Sequence, residues 1–100
     1  MLDKKYPERK YWQVIRVVLK QGKTTHSKIR KELQWRRNDV SGYTDYLWKY
    51  NVLLRKNTIM EKEKGKKQKK VIIWRINPRV QDYYLNKFST MYPNDKYVSV

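Results

Sequence analysis

The sequence predicts a mostly helical α+β domain made of three helices, a two-stranded β-hairpin and a C-terminal helix. Three observations predict it. Apolar residues recur at helical spacing in the first half, most clearly at Tyr11, Val14, Ile15, Val18 and Leu19. The pattern turns to alternation in VIIWRI, Val71 to Ile76, where Ile72, Trp74 and Ile76 share one face and Val71, Ile73 and Arg75 the other. Asn77-Pro78 then sets a capping side chain before a proline, the pair that opens a helix. At 100 residues the chain is one domain with a single modest core. Its ordered part is expected at about 7–92, with a mobile tail at 93–100.

Each element has a local reason. Residues 1–6 read as a basic, loosely ordered lead-in. Pro7 has no N–H to leave unsatisfied in a first turn, Glu8 favours the same end of the first helix, and Gly22 closes it. Thr24 or Thr25 caps a second, shorter helix with Ile29 and Leu33 inward and Lys28, Arg30 and Lys31 outward; Trp35 closes the bend after it. The turn Gln34 to Arg37 leads to a third helix at about 38–50. Asn38 is its expected N-cap, Asp39 sits at the positive end of its dipole, and Val40, Tyr43, Leu47 and Tyr50 form its apolar stripe. At about 100° per residue, Asn38, Ser41, Gly42, Asp45 and Lys49 cluster on the opposite, polar face. Asn51 can take the left-handed conformation that ends a helix. The first strand begins at Val52 to Leu54 and continues through Met60. A lysine-rich tip at 61–70, with Gly65 as the turn residue, joins it to VIIWRI. In the last helix Val80, Tyr83, Tyr84, Phe88 and Met91 make a stripe, and Pro93 stops it.

Charge bounds the function. Lys and Arg number 25 against 9 Asp and Glu, a formal net charge of +16. Such a charge opposes compaction, so a polyanion is the economical partner, and nucleic acid or an anionic membrane surface would both qualify. No apolar run approaches the roughly 18 residues that span a bilayer, and MLDKKYPERK lacks the apolar segment of a signal peptide. The expectation is therefore a soluble, intracellular protein with no membrane partner. Absence of cysteine excludes disulfides and thiolate zinc sites. Alanine is also absent while Lys, Tyr, Ile and Asn abound, a bias that fits an AT-rich genome such as that of a virus or mobile element.

Two stretches, SKIRKELQW and DVSGYTDYLWKYNVLLRK, give the order of elements a familiar form. The first is similar to the second helix and turn of winged helix–turn–helix domains. The second resembles that family's recognition helix, with Leu47 at its leucine position, Asn51 where glycine is usual, and Val52-Leu53 as the apolar pair. The resemblance covers roughly residues 8–92 and is greatest to the small MarR-, ArsR- and PadR-like regulators. A Z-DNA-reading subfamily carries an asparagine after the first core valine of that helix and a tyrosine four residues on. Ser41 and Asp45 stand there in this chain, which argues against left-handed DNA.

The candidate contacts follow from this layout. Arg36 and Arg37, at the entrance to the third helix, can reach guanine O6 and N7 or clamp a phosphate. Asn38 either caps or reads adenine. Asp45 accepts from cytosine, orients Arg37 or Lys49, or stands outside the groove. Ser41 and Lys49 complete the face, and Gly42 either admits close approach of DNA or packs against the turn. Thr25, Ser27 and Lys28 can hold a phosphate or simply cap. Lys62, Lys64, Lys66, Lys67, Lys69 and Lys70 crowd the wing, suited to phosphate or minor-groove contact or else a solvated charge run. The aromatics read mainly as core, with Tyr46 and Trp48 at the stripe's edges and open to base stacking. Trp12, Tyr83, Tyr84, Phe88 and Met91 are the expected homodimer contacts.

Catalysis finds no support in these residues. His26 is the only histidine and reads as a surface residue. The carboxylates are scattered, and there is neither a phosphate-binding glycine loop nor a metal-ligand set. The expectation is a non-enzyme without cofactor or small-molecule ligand, binding double-stranded DNA in a sequence-specific way, as a transcription regulator does. Its third helix would enter the major groove and its wing would lie on the backbone or minor groove. The rivals are an RNA-binding module of the same fold, a non-specific architectural or packaging protein, and a module whose wing binds an acidic protein.

Overall fold

The computed structural model describes residues 6–60 and 69–97. They form four helices and a two-stranded antiparallel sheet, in the order α1 (Glu8–Gln21), α2 (His26–Leu33), α3 (Arg37–Lys49), β1 (Leu53–Met60), β2 (Lys69–Ile76) and α4 (Pro78–Met91). The α+β, mostly helical composition is the one expected. The lysine-rich tip lies outside the described residues, apart from the backbone of Lys69 and Lys70.

The core is built where the helical spacing puts it. Tyr11, Val14, Ile15, Val17, Val18 and Leu19 of α1 are buried, and Gly22 ends the helix with φ 78°, a conformation that costs only glycine nothing. Ile29 of α2, Val40 and Leu47 of α3, Leu53 and Ile76 of the hairpin and Phe88 of α4 complete the same cluster. Thr25 caps α2 by accepting from the Lys28 N–H at 3.3 Å, and Gln34 leaves it in the left-handed region at φ 57°. Asn51, at φ 61°, turns the chain from α3 into β1 as the sequence predicts. Asn77 caps α4 by accepting from the Arg79 N–H at 3.1 Å, and also donates to the Asn51 carbonyl at 2.7 Å.

The hairpin pairs Leu53 with Ile76 and Arg55 with Trp74, so those four residues share one face. Its free edge is held by an addition the sequence does not announce. Thr24 exchanges both backbone hydrogen bonds with Trp74, at 2.9 and 2.7 Å, and this single bridge ties the α1–α2 connection to β2. One buried Thr thus fixes the angle between the helices and the hairpin.

Contacts reach past the expected 7–92 core at both ends. Tyr6, placed in the loose lead-in by the sequence, stacks on Tyr46 at 4.6 Å and meets Tyr43 edge-on at 5.2 Å. At the other end Asp95 accepts hydrogen bonds from the Arg16 guanidinium and from Tyr97 Oη, so the segment after Pro93 is fastened to α1 as far as Tyr97. The guanidinium also lies 3.7 Å from the Tyr92 ring centre. Arg16 and the Tyr97 hydroxyl hold the Asp95 carboxyl below its ordinary value, against a smaller opposing effect of burial.

Candidate nucleic-acid interface

α3 is two-sided. Val40, Tyr43, Thr44, Tyr46 and Leu47 face inward, while Asn38, Asp45 and Lys49 are exposed, with Ser41 and Gly42 half-buried beside them. The polar face drawn from helical spacing is therefore open to solvent at Asn38, Asp45 and Lys49 and partly covered at Ser41 and Gly42. Arg36 and Arg37 are exposed at its start.

Three details of this helix differ from expectation. The N-cap is Arg36, in extended geometry and without a side-chain cap bond, so Asn38 lies inside the first turn and does not cap. Tyr50, placed on the apolar stripe, is 52% exposed because the helix has already ended at Lys49 and the chain turns away at Asn51. Thr44 takes an inner position instead. Its hydroxyl is fully satisfied there, lying 2.9 Å from the Val40 carbonyl, 3.1 Å from the Ser41 carbonyl and 2.9 Å from His26 Nε2.

His26, expected at the surface, is half-buried. Its ring stacks on Trp74 at 5.4 Å and 16°, between α2, α3 and β2. The imidazole tautomer sets which of Nε2 and the Thr44 hydroxyl donates in that contact. Burial pushes the imidazole below its ordinary value; Asp45 opposes this and Arg37 reinforces it. His26 locks the base of the candidate face in place.

Asp45 pairs with neither Arg37 nor Lys49. Its partner is Arg55 of β1, whose Nη1 lies 3.8 Å from Asp45 Oδ1 and whose guanidinium lies 3.7 Å from the Trp48 ring centre. Trp48 is 42% exposed, and Arg55 covers one of its faces. Tyr46, the other aromatic at the stripe's edge, is buried.

Gly42 packs, but against Tyr6 and not against the turn. A Cβ there would meet Tyr6 Cε1 at 3.3 Å and Oη at 3.4 Å. Beside it a groove of about 490 Å³ is lined by Tyr6, Lys10, Trp35, Asn38, Asp39, Gly42 and Tyr43.

Among the flanking candidates, Thr25 is the α2 cap, while Ser27 and Lys28 are exposed next to it. Lys62, Lys64, Lys66 and Lys67 lie outside the described residues, as do the side chains of Lys69 and Lys70. Of the expected dimer contacts, Phe88 is fully buried within its own chain, packed against Trp12, Tyr84 and Tyr92, and cannot meet a partner. Tyr83 and Met91 are exposed at 58% and 43%, and Trp12 is half-buried with Lys87 Nζ 4.3 Å from its ring centre. Among the described residues no group of three or more His, Asp or Glu could hold a metal ion, and no helix is long and apolar enough to cross a membrane.

Comparison of the chain with protein-family models, with curated proteins and with solved structures finds no match. The functional reading rests on the residues themselves.

Proposed function

We propose that this protein is a winged helix–turn–helix module that binds double-stranded DNA in a sequence-specific manner and regulates transcription. In this reading α2 and α3 are the helix–turn–helix, α3 lies in the major groove, and the hairpin is the wing. The observation that carries the proposal is the solvent-open face of α3, where Asn38, Asp45 and Lys49 stand exposed behind Arg36 and Arg37 in a chain of net charge +16. Arg36, Arg37, Asn38, Ser41 and Lys49 face the bases or adjacent phosphates. Thr25, Ser27 and Lys28 approach the backbone at the start of α2, whose N-terminal N–H groups favour an anion. The wing lysines would add sequence-independent phosphate contacts.

The proposal includes no catalysis and no cofactor, and places the protein wherever the DNA of its cell or host is found. It also includes a two-fold dimer through α1 and α4, with Tyr83 and Met91 as the exposed contacts beside Trp12 and Tyr84. The operator is then an inverted repeat with half-sites about one helical turn apart or a multiple of it. The base-stacking rival is weakened by Arg55, which occupies one face of Trp48.

Selection of bound sites from a random duplex pool, followed by footprinting, tests the proposal. An enriched, footprinted motif supports it. A pool that enriches nothing, or RNA hairpins that compete better than duplexes of the same sequence, overturns it.

A further inference from the structure

Arg55 occupies a position where strand alternation calls for an apolar side chain. It shares the inward face of the hairpin with Leu53, Trp74 and Ile76, all three fully buried. A charge on a core face is a local inconsistency of the kind that marks function. The structure resolves it by sending the guanidinium outward between two elements. It lies 3.7 Å from the Trp48 ring centre, 6.0 Å from that of Trp74, and 3.8 Å from Asp45 on the open face of α3. The Arg55 side chain remains 36% exposed and that of Asp45 58%. An ion pair so exposed adds little to stability; the contact with Trp48 contributes about 0.5–1 kcal/mol at such a site but does not call for a carboxylate on the open face of α3.

We propose that Arg55, reaching from the first strand onto the face of α3, is a guanine-reading residue of the DNA site, with Asp45 and Trp48 as its positioning residues. This rests on the duplex-DNA reading above and names what that reading lacked, a base-specific donor held in one plane. Stacking on an indole and a carboxylate contact remove rotamers that a free arginine would lose on binding, and a guanidinium fixed in plane can make the two parallel bonds to guanine O6 and N7. Phosphate is the poorer target. Asp45 offsets the charge of the Arg55 guanidinium and repels a phosphate, whereas a base edge carries no net charge to repel. The same pairing explains how a carboxylate is tolerated on a DNA-facing surface.

The test repeats the random-duplex selection with the full chain and with Arg55→Lys, Asp45→Asn and Trp48→Phe, each checked for native circular dichroism. Lysine keeps the charge but cannot make the bidentate pair. The expected result is a wild-type motif with a guanine position whose preference falls by roughly 5- to 150-fold in Arg55→Lys. Other positions and the salt dependence of binding should be preserved. Asp45→Asn should weaken preference at that same position, and Asp45→Glu should restore part of it. Trp48→Phe, which keeps an aromatic face, should weaken it less. If the wild-type enriches a motif that Arg55→Lys reproduces unchanged, the inference is overturned while the DNA reading stands. The inference is equally overturned if Arg55→Lys lowers affinity for every sequence alike with a shallower salt slope, because Arg55 then touches phosphate. If the wild-type enriches nothing, both readings fall together.

Discussion

Gly42→Ala is a perturbation whose outcome depends on a single neighbour. Gly42 lies inside α3 with helical backbone, and alanine there should stabilise the helix by about 1 kcal/mol. The added Cβ, however, would sit 3.3 Å from Tyr6 Cε1 and 3.4 Å from its hydroxyl oxygen, a few tenths of an ångström closer than comfortable contact. A shift of Tyr6 disturbs its stacking on Tyr46 at 4.6 Å and its edge contact with Tyr43 at 5.2 Å. Aromatic pairs of this kind are worth about 0.5–1.5 kcal/mol each, so partial disruption offsets much of the helical gain. Gly42→Ala alone should therefore stabilise by less than about half of the 1 kcal/mol. In a Tyr6→Ala background the obstacle is gone and the full amount should appear, a coupling of about 0.5–1 kcal/mol. Urea denaturation followed by tryptophan fluorescence reads this directly, because about 1 kcal/mol moves the midpoint by roughly 0.3–1 M at typical m-values. Equal gains in both backgrounds would refute the packing argument. Duplex affinity measured on the same proteins should not change with Gly42→Ala. Its loss without loss of stability would mean that DNA, and not Tyr6, needs the missing side chain.

Other predictions follow from the core and the charges. The native His26 ring resists protonation while the unfolded ring takes up its proton near 6.5, so stability should fall as pH drops through 6.5 and level off below the native value. The slope stays under the about 1.4 kcal/mol per pH unit that one proton allows, because the ring is only half-buried and screened; His26→Gln should abolish it in pH-dependent denaturation. Phe88→Ala should cost about 3–5 kcal/mol in chemical denaturation, and Tyr83→Ala within about 0.5 kcal/mol. A reversal, with Phe88→Ala mild and acting only on self-association in sedimentation, would return Phe88 to an interface. If the protein neutralises about six phosphates, log affinity for duplex DNA should fall with a slope near −5 in log salt. A slope near zero would remove the charge argument.

The elements were legible because each has a local cause. Periodicity located α1 and α4, Asn77-Pro78 marked the start of α4, and Asn51 marked the junction of α3 and β1. The open polar face of α3 followed from the same periodicity. What escaped is non-local. Nothing near Thr24 announces that its backbone will bond Trp74, fifty residues away in sequence, nor that His26, two residues on, will stack on Trp74 and meet Thr44. Asn38 has the residue type that favours a cap, yet the helix begins two residues earlier than such a cap requires, and Arg36 caps it by backbone geometry alone. Phe88 was assigned to a dimer face because a stripe does not say which neighbour it meets, and α1 of its own chain covers it. The Asp45–Arg55 pair had one available signal: an arginine at an alternation position shared with Trp74 and Ile76, where an apolar residue belongs.

The most direct test of the central claim is amide chemical-shift mapping of the labelled protein titrated with a duplex recovered by selection. The account predicts that the largest changes fall on residues 36–49, at the start of α2 and around Arg55, with the Tyr83–Met91 surface of α4 unaffected at fixed oligomeric state. Changes concentrated on α4, with α3 silent, would contradict it.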